Sequence, residues 1–391
     1  MLLLSACSTP VRQAAVPKEL QIEAEVPGMP GVRYFAREHS ALLLHDAFES
    51  IQREKAQLKS AGGHGQLPPT QFLAISGGGE DGAFGAGLLL GWTASGARPE
   101  FKLVTGVSTG ALTAPFAFLG PRYDDKLRWI YTEVTSKDIL ERRWLLAALL
   151  DDALSDTTPL KRLVQKFMNA EMMQDIAAEN AKGRLLLIGT TNLDGRRGVI
   201  WNIGKIAASG HPRALNLIQD ILVASAAIPG VFPPIMFDVE AGGRRYQEMH
   251  VDGGASAQVF AYPPLFGLGD EAKARGVVRG RRIYVIRNAR LDADWEQVDR
   301  RALSIAGRSI AALIQNQGVG DLYRIYVTSR RDKVDFNLAF IPATFKTPLK
   351  EPFDKAYMNE LFKIGYDLGA RGYRWIKVPP GLETSGPVAE P

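Results

Sequence analysis

Residues 101–118 read FKLVTGVSTGALTAPFAF. The first part is a short apolar segment typical of a buried strand, and the last part is a small-residue, apolar run typical of a buried helix. Between them lies Gly106-Val107-Ser108-Thr109-Gly110, which fits the pattern G-x-S-x-G. In a strand-turn-helix context this pattern predicts a sharp turn that exposes the Ser108 hydroxyl as a nucleophile. The pentapeptide alone also fits a glycine-rich connection with a helix-capping serine.

Outward from this turn, strands and helices alternate along the chain. Strands are predicted at 72–75, 101–105, 184–192, 198–203, 246–251, 282–287 and 334–340. Helices are predicted at 83–92, 109–118, 160–168, 211–227, 298–327 and 354–373, and a helical pattern lies within 31–60. Asp194-Gly195 predicts a hairpin. The alternation predicts an α/β fold with a largely parallel sheet covered by helices on both faces.

The composition limits the classes of protein to which this chain can belong. Of its 391 residues, 46% are hydrophobic and 23% are charged, a balance typical of globular proteins. The net charge of +5 is not clustered, so no nucleic-acid partner is expected. Cys7 is the only cysteine, which excludes a disulfide scaffold, and the five histidines lack zinc spacing. We therefore expect no metal and no cofactor.

The glycine-rich stretch from Gly77 to Gly82 (GGGEDG) has two interpretations. It matches the dinucleotide fingerprint G-x-G-x-x-G, but the acidic residue with suitable spacing, Glu100, precedes its strand instead of ending it. Two carboxylates inside the loop would also repel a pyrophosphate. The other interpretation is an oxyanion hole, in which backbone N–H groups uncovered by side chains stabilise a tetrahedral intermediate.

Asp252-Gly253-Gly254 follows a predicted strand. A carboxylate at a strand end can accept the proton of a serine hydroxyl, although a lone D-G-G also fits a simple turn. His250 stands two residues earlier, on the same face of the strand, so a Ser-His-Asp triad is conceivable. Same-strand neighbours are poorly placed both to pair and to reach Ser108, which favours Asp252 as the base.

The three motifs, in this order, resemble those of the patatin-like phospholipase family. Residues 224–234 (ASAAIPGVFPP) are also similar to the family, and the resemblance covers roughly residues 70 to 375. It implies a three-layer α/β/α fold and hydrolysis of phospholipids or other acyl-ester lipids through a Ser-Asp dyad.

The resemblance also implies a role for each matched residue. Ser108 would be the nucleophile and Asp252 the base. The oxyanion-hole donors would be the N–H groups of Gly77, Gly78, Gly79 and Thr109. The motif glycines that shape the turns would be Gly82, Gly106, Gly110, Gly253 and Gly254.

One position departs from the family pattern. Asp81 stands where the family usually has Arg or Lys. We expect the oxyanion hole to form, because its donors are backbone groups, but an anion beside it could weaken binding of anionic head groups or lower the rate. The departure leaves open a second hypothesis, a lipid-binding lipoprotein that keeps the fold and has lost turnover.

The N-terminus resembles a targeting signal. Leu4-Ser5-Ala6-Cys7 resembles a bacterial lipobox, which implies lipidation of Cys7 and an exported protein anchored to a membrane, with the outer membrane facing the periplasm favoured. Only Met1 to Leu4 precede the box, fewer than the apolar residues of a secretory leader, so either the natural start lies upstream or the match is chance.

The chain is expected to divide into four parts. Residues 1–30 would be leader and tether, 31–69 an N-terminal helix and linker, 70–378 the catalytic domain and 379–391 a flexible tail. Within the catalytic domain, residues 139–150 (ILERRWLLAALL) fit either a buried helix or an interfacial lid.

Overall fold

The computed structural model describes residues 12–62, 66–139, 141–142, 155–292, 295 and 297–382. Three sequence-based expectations fall wholly or largely outside these residues: the lipidation of Cys7, the lid or helix that includes 143–150, and the tail beyond 382.

The strands of the described residues form one large sheet and one two-stranded sheet. The large sheet consists of β1 (Arg33–Phe35), β2 (Thr70–Ile75), β3 (Leu103–Val107), β6 (Leu185–Asn192), β7 (Arg197–Asn202), β8 (Ile235–Ala241), β9 (Arg244–Asp252), β10 (Arg281–Arg287) and β11 (Asp335–Phe340). The small sheet pairs β4 (Glu141–Arg142) with β5 (Ser155–Asp156). The order of the main path is β1-β7-β6-β3-β2-β10-β11.

Helices cover both faces of the large sheet. Those of the described residues are α1 (Ser40–Ser60), α2 (Gly82–Ala94), α3 (Thr109–Leu119), α4 (Asp124–Glu133), α5 (Ser136–Ile139), α6 (Thr158–Phe167), α7 (Ala170–Ala181), α8 (Ile203–Ala207), α9 (Ala214–Ser225), α10 (Leu268–Ala274), α11 (Ala302–Arg331) and α12 (Lys355–Ala370). None of these helices combines the length and apolar character needed to span a bilayer.

Alternating residues of the central strands supply two separate cores. In β2, Leu73 and Ile75 join the core beneath α2, α3, α9 and α12, whereas Phe72 and Ala74 join the core beneath α1 and α11. Successive side chains of a strand point to opposite faces, so an apolar strand without alternation is buried on both sides. The structure confirms the predicted α/β class, with five neighbouring strands (β6, β3, β2, β10 and β11) in parallel.

The register along β6 brings two strand ends together. β3 runs parallel to the first part of β6 and ends with Val107 opposite Gly189. β9 runs antiparallel to the last part of β6 and ends with Asp252 opposite Thr190. The carboxyl ends of β3 and β9 therefore meet head-on along the same edge of β6, at adjacent residues.

The N-terminal segment differs from the expected tether and linker. Val16 and Ala24 are buried against Val239 and Tyr246 of the β8–β9 hairpin, and Glu25 forms a bridge with Glu240. Downstream, β1 pairs with β7 and so extends the large sheet. Residues 12–62 therefore belong to the folded domain, because they pack on or pair with β7, β8 and β9. The sequence patterns do not predict β8, and they predict a shorter β9 than the structure has.

Helices α2 and α12 pack backbone to backbone. A Cβ added to Gly87 or Gly91 of α2 would overlap a carbonyl oxygen of α12, and a Cβ on Gly365 or Gly369 of α12 would overlap one of α2. Both pairs have the spacing G-x-x-x-G, which places the two glycines on one helix face. This contact holds α2, whose first residue follows the glycine-rich loop, against the end of the chain.

The close packing of α2 on α12 predicts that a single methyl group added at their contact destabilises the protein. Gly87→Ala should lower the free energy of unfolding by about 1–3 kcal/mol, the usual cost of overpacking, since the Cβ would overlap the Phe362 carbonyl oxygen. Gly320→Ala in α11 is the matched control, because open space surrounds that position. It should raise stability by about 0.5–1 kcal/mol through helix propensity. Urea unfolding followed by circular dichroism measures both, and equal effects would contradict the close crossing.

Candidate active site

Ser108 occupies a strained turn between β3 and α3. Its backbone has φ 55° and ψ −128°, a conformation that residues with a Cβ rarely adopt. The turn is tight enough that a Cβ on Gly106 would overlap the Gly110 carbonyl, and one on Gly110 would overlap the Ile75 carbonyl. The geometry matches the nucleophile elbow expected from G-x-S-x-G, in which strain holds the serine side chain off the strand axis.

Ser225, at the end of α9, braces this turn. The Ser108 N–H donates to Ser225 Oγ at 3.0 Å, and the Ser225 hydroxyl donates to the Gly189 carbonyl at 2.6 Å. Ser225 is fully buried, so each of its bonds satisfies a group that water does not reach. One hydroxyl thus connects the turn to β6.

Asp252 is the last residue of β9, and the Ser108 side chain lies close enough to its carboxylate to act on its pKa. The Gly254 N–H donates to Asp252 Oδ1 at 2.7 Å, and the Asp252 N–H donates to the Ala227 carbonyl at 2.9 Å. Burial raises the pKa of Asp252 to about 6, although the hydrogen bonds from Ser108 and Gly254 act in the opposite direction. A buried carboxylate of this pKa can exchange a proton near neutral pH.

The glycines after Asp252 allow the two strand ends to approach. A Cβ on Gly253 would overlap the Gly189 carbonyl, and one on Gly254 would lie 2.6 Å from Gln258 Nε2. Side chains at either position would push Asp252 away from Ser108. Close approach, not turn conformation, is what requires these two glycines.

The glycine-rich loop lies directly beside Ser108. A Cβ on Gly77 would stand 3.1 Å from the Ser108 Cβ, and one on Gly82 would overlap Thr109 Oγ1. The Gly77 N–H, predicted as an oxyanion donor, already donates to the Gln258 carbonyl at 3.0 Å. Gly78 is exposed, and within the described residues no acceptor contacts the N–H of Gly78 or Gly79.

Asp81 is tied to α12. The Tyr357 hydroxyl donates to Asp81 Oδ1 at 2.5 Å. Burial raises the pKa of Asp81 to about 7, while that hydrogen bond and the charges of Arg287 and Arg290 act to lower it. The charge of Glu80 also raises this pKa, so burial and Glu80 together outweigh the donor and the two arginines, and Asp81 loses its charge readily near neutral pH.

His250 belongs to a buried hydrogen-bonded chain instead of the Ser108 site. Trp201 Nε1–H donates to Thr190 Oγ1 at 2.8 Å, Thr190 Oγ1 lies 2.9 Å from His250 Nδ1, and His250 Nε2 lies 3.1 Å from Glu248 Oε2. Arg33 binds the same carboxylate through both terminal nitrogens. An ionised carboxylate only accepts, so Nε2 carries the hydrogen and Nδ1 accepts from Thr190. Both ring nitrogens are thus occupied.

The pKa shifts of this chain agree with that assignment. Burial lowers the pKa of His250, against the opposing effect of Glu248, so the ring is neutral. Burial acts to raise the pKa of Glu248, yet the hydrogen bond from His250 and the charge of Arg33 bring it down to about 2. A neutral imidazole between a threonine and an arginine-bound carboxylate is a structural group.

The site contains residues that the sequence motifs did not single out. Gln258 accepts from Gly77, and its side chain donates to the Gly254 carbonyl at 2.9 Å. Asn288, just after β10, donates to the hydroxyl and carbonyl oxygens of Ser76 and accepts from the Gly85 N–H. Among the described residues, no group of three or more His, Cys, Asp or Glu side chains is arranged to hold a metal ion.

Residues 73–265 match the sequence model of the patatin-like phospholipase family, so this part of the chain is a patatin-like domain. This confirms the family expected from the three motifs. Among solved structures, the crystal structure of VipD from Legionella pneumophila is similar, with 14% sequence identity and a TM-score of 0.39. The similarity covers 78% of this chain and 68% of that one. No curated protein sequence matches significantly.

The brace at Ser225 yields a prediction. Ser225→Ala should lower the free energy of unfolding by about 1–3 kcal/mol, because it leaves the buried Ser108 N–H and Gly189 carbonyl without a partner. Ser209→Ala is the matched control, since its exposed hydroxyl donates to the Ile206 carbonyl and accepts from the exposed His211 N–H; it should change stability by less than about 0.5 kcal/mol. Thermal and urea unfolding report both, and a Ser225 effect as small as the control would show that the bridge is unimportant.

Proposed function

We propose that the chain hydrolyses acyl-ester bonds of lipids, with Ser108 as nucleophile and Asp252 as base. The observation that carries the proposal is that β3 and β9 end at adjacent residues of β6, which brings the Ser108 side chain to the Asp252 carboxylate. A serine hydroxyl at its free pKa is a weak nucleophile and needs an adjacent proton acceptor. A carboxylate with a pKa of about 6 is mostly ionised at neutral pH, yet basic enough to serve.

The proposed reaction has two halves. In the first, Ser108 Oγ attacks the ester carbonyl carbon while its proton passes to Asp252; the tetrahedral intermediate then collapses, and the leaving alcohol takes that proton. The product is an acyl-serine ester. In the second half, Asp252 takes a proton from water as the water oxygen attacks the acyl carbon. Collapse returns the proton to Ser108 Oγ and releases the fatty acid.

Negative charge develops on the carbonyl oxygen in both halves. We assign its stabilisation to the N–H groups of Gly78 and Gly79, which lie on the loop beside Ser108, with the N–H of Thr109 as a further donor. The N-terminus of α3 adds positive potential at the same place. Gly77 is omitted because its N–H is engaged by Gln258; its part is to let the loop approach Ser108.

The second candidate function is lipid binding without turnover. It is favoured by Asp81, which places an anion where the family has a cation. The tie from Tyr357 and the nearby arginines reduce the effect of that anion, which supports turnover. We also propose that Cys7, if lipidated, would hold the enzyme at a membrane, with the outer membrane facing the periplasm favoured, and so close to acyl-ester lipids.

The roles of the two side chains can be separated by substitution. Ser108→Ala should abolish hydrolysis of a soluble short-chain ester and labelling by a fluorophosphonate probe, because both require the nucleophile. Asp252→Asn should reduce the rate at least ~100-fold, as is typical when a general base is lost. Ser256→Ala, a nearby serine that bonds Thr191, is the control and should retain both activities.

His250→Ala tests the alternative triad in the same assay. It should reduce the rate of the folded protein less than ~10-fold, although the thermal melt should drop because a buried group loses its partners. Wild-type protein that neither hydrolyses the ester nor reacts with the probe would favour the lipid-binding candidate. A folded His250→Ala protein as inactive as Asp252→Asn would replace the dyad by a triad.

The pKa of Asp252 predicts the pH dependence of hydrolysis. The base must be ionised, and its pKa is raised to about 6, so kcat/KM should fall as the pH drops through about 6 and level off above it. Asp81 also titrates in this region, with a pKa of about 7. Asp81→Asn should therefore keep the acid limb near pH 6. Loss of the limb in that variant would assign it to Asp81 and contradict Asp252 as the titrating group.

A further inference from the structure

The first half of α11 projects from the body of the protein. We call Trp295 and residues 297–314 the arm; it includes the helix from Ala302 onward. Residues 309–314 are six consecutive exposed positions, which a helix packed on a core cannot have. The helix meets the body again at Gly318, where a Cβ would overlap the guanidinium of Arg287.

The arm exposes apolar side chains and partly buries polar ones, which is the opposite of an ordinary surface helix. Among the side chains of the arm whose burial the structure describes, the half-buried ones are polar, Ser304 and Arg308; Gln315, next along the helix, donates to the Arg290 carbonyl at 2.9 Å. Its large apolar side chains face solvent: Leu313 is 69% exposed, and Trp295, before the helix, is 85% exposed. An apolar face of this kind marks an interaction surface.

The distribution of the apolar side chains distinguishes between possible partners. At about 3.6 residues per turn, they spread over about half of the helix circumference. They are Ile305, Ile310, Leu313 and Ile314. A second helix would cover only the narrow seam of a coiled coil, whereas a helix that lies in a lipid surface immerses a broad apolar face.

The charge and the aromatic residue of the arm also fit a lipid surface. Arg300 and Arg301 are exposed at the start of the helix; Asp299, also exposed, precedes them and is the acidic residue of the arm, while residues 300–320 contain no Asp or Glu. Tryptophan is favoured at membrane interfaces, where one part of the ring is apolar and the other is hydrated. Basic residues flanking an apolar helix face are typical of binding to anionic lipids.

The arm begins beside the candidate site. Asn288, seven residues before Trp295, holds Ser76 through two hydrogen bonds, and the Asn288 carbonyl lies where a Cβ of Gly78 would be. We propose that the arm is a membrane-docking element that lies in an anionic phospholipid surface and brings the exposed loop at Gly78 to that surface. The choice of a lipid surface as partner rests in part on the proposed function.

The test uses full-length protein carrying Cys7→Ser, so that no lipid anchor contributes. Co-sedimentation is measured with vesicles of phosphatidylcholine alone and of phosphatidylcholine with phosphatidylglycerol. Ile310→Gln/Leu313→Gln should weaken binding to the mixed vesicles at least ~10-fold, because two immersed side chains are lost. Val327→Gln is the matched control, since Val327 is 63% exposed on the same helix but outside the arm; its binding should be unchanged.

Two further readouts separate the outcomes. Arg300→Gln/Arg301→Gln should weaken binding to the mixed vesicles and leave binding to phosphatidylcholine unchanged. All variants should hydrolyse a soluble short-chain ester like the parent protein, because the arm touches neither Ser108 nor Asp252. Failure of the parent to hydrolyse that ester would count against the proposed function, while arm-dependent vesicle binding would still support docking.

The proposal would be overturned in either of two ways. The parent protein binds neither kind of vesicle, or Ile310→Gln/Leu313→Gln binds them as the parent does. A parent that is dimeric by light scattering and becomes monomeric in this variant, with no change in vesicle binding, would assign the arm to a second copy of the chain instead of a lipid surface.

Discussion

The candidate site depends on one edge of β6 being shared by two strands that run toward each other. β3 arrives parallel to β6 and β9 arrives antiparallel, and their last residues face Gly189 and Thr190. Backbone hydrogen bonds to a common partner hold both ends in register, so the Ser108–Asp252 contact does not rely on flexible loops. The glycines next to Ser108 and Asp252 leave room for the two strand ends to approach each other. The hydrogen bond from Ser225 to the Gly189 carbonyl anchors the Ser108 turn to β6 at this junction.

The buried series of hydrogen bonds from Trp201 through His250 to Arg33 also stabilises this junction. Glu248 and His250 alternate with outward-facing residues of β9, so they share a face with Asp252. Their bonds to Arg33 of β1 and Thr190 of β6 connect three strands in a region without water. Polar groups buried in this way resist sliding of β9 by one or two residues, because any shift would leave a charge unpaired.

The sequence predicts those turns and strands that depend only on residues close together in the chain. The turn at Ser108 and the buried strands β2, β3 and β10 follow from short runs of residues, and so does the hairpin after Asn192. The sequence analysis does not predict β1, which has only three residues, or β8, although Phe237, Val239 and Ala241 of β8 alternate with polar residues as in a half-buried strand. The roles of Gln258 and Tyr357, and that of Ser225 within the stretch 224–234, are not predictable from the sequence because their partners lie far away along the chain, and spacing alone cannot reveal which elements become neighbours.

The contact between α2 and α12 has a consequence for biosynthesis. The helix that follows the glycine-rich loop is packed, glycine against backbone, on residues 355–370, and Tyr357 of that segment holds Asp81. β2 likewise needs β10, which lies beyond the span that matches the family model. A chain translated only as far as residue 300 therefore contains Ser108, Asp252 and β10, but it still lacks α12 and Tyr357, which hold α2 and Asp81. The loop beside Ser108 is fully supported only once residues 355–370 have been synthesised, so the candidate site forms after all of its own residues have been made.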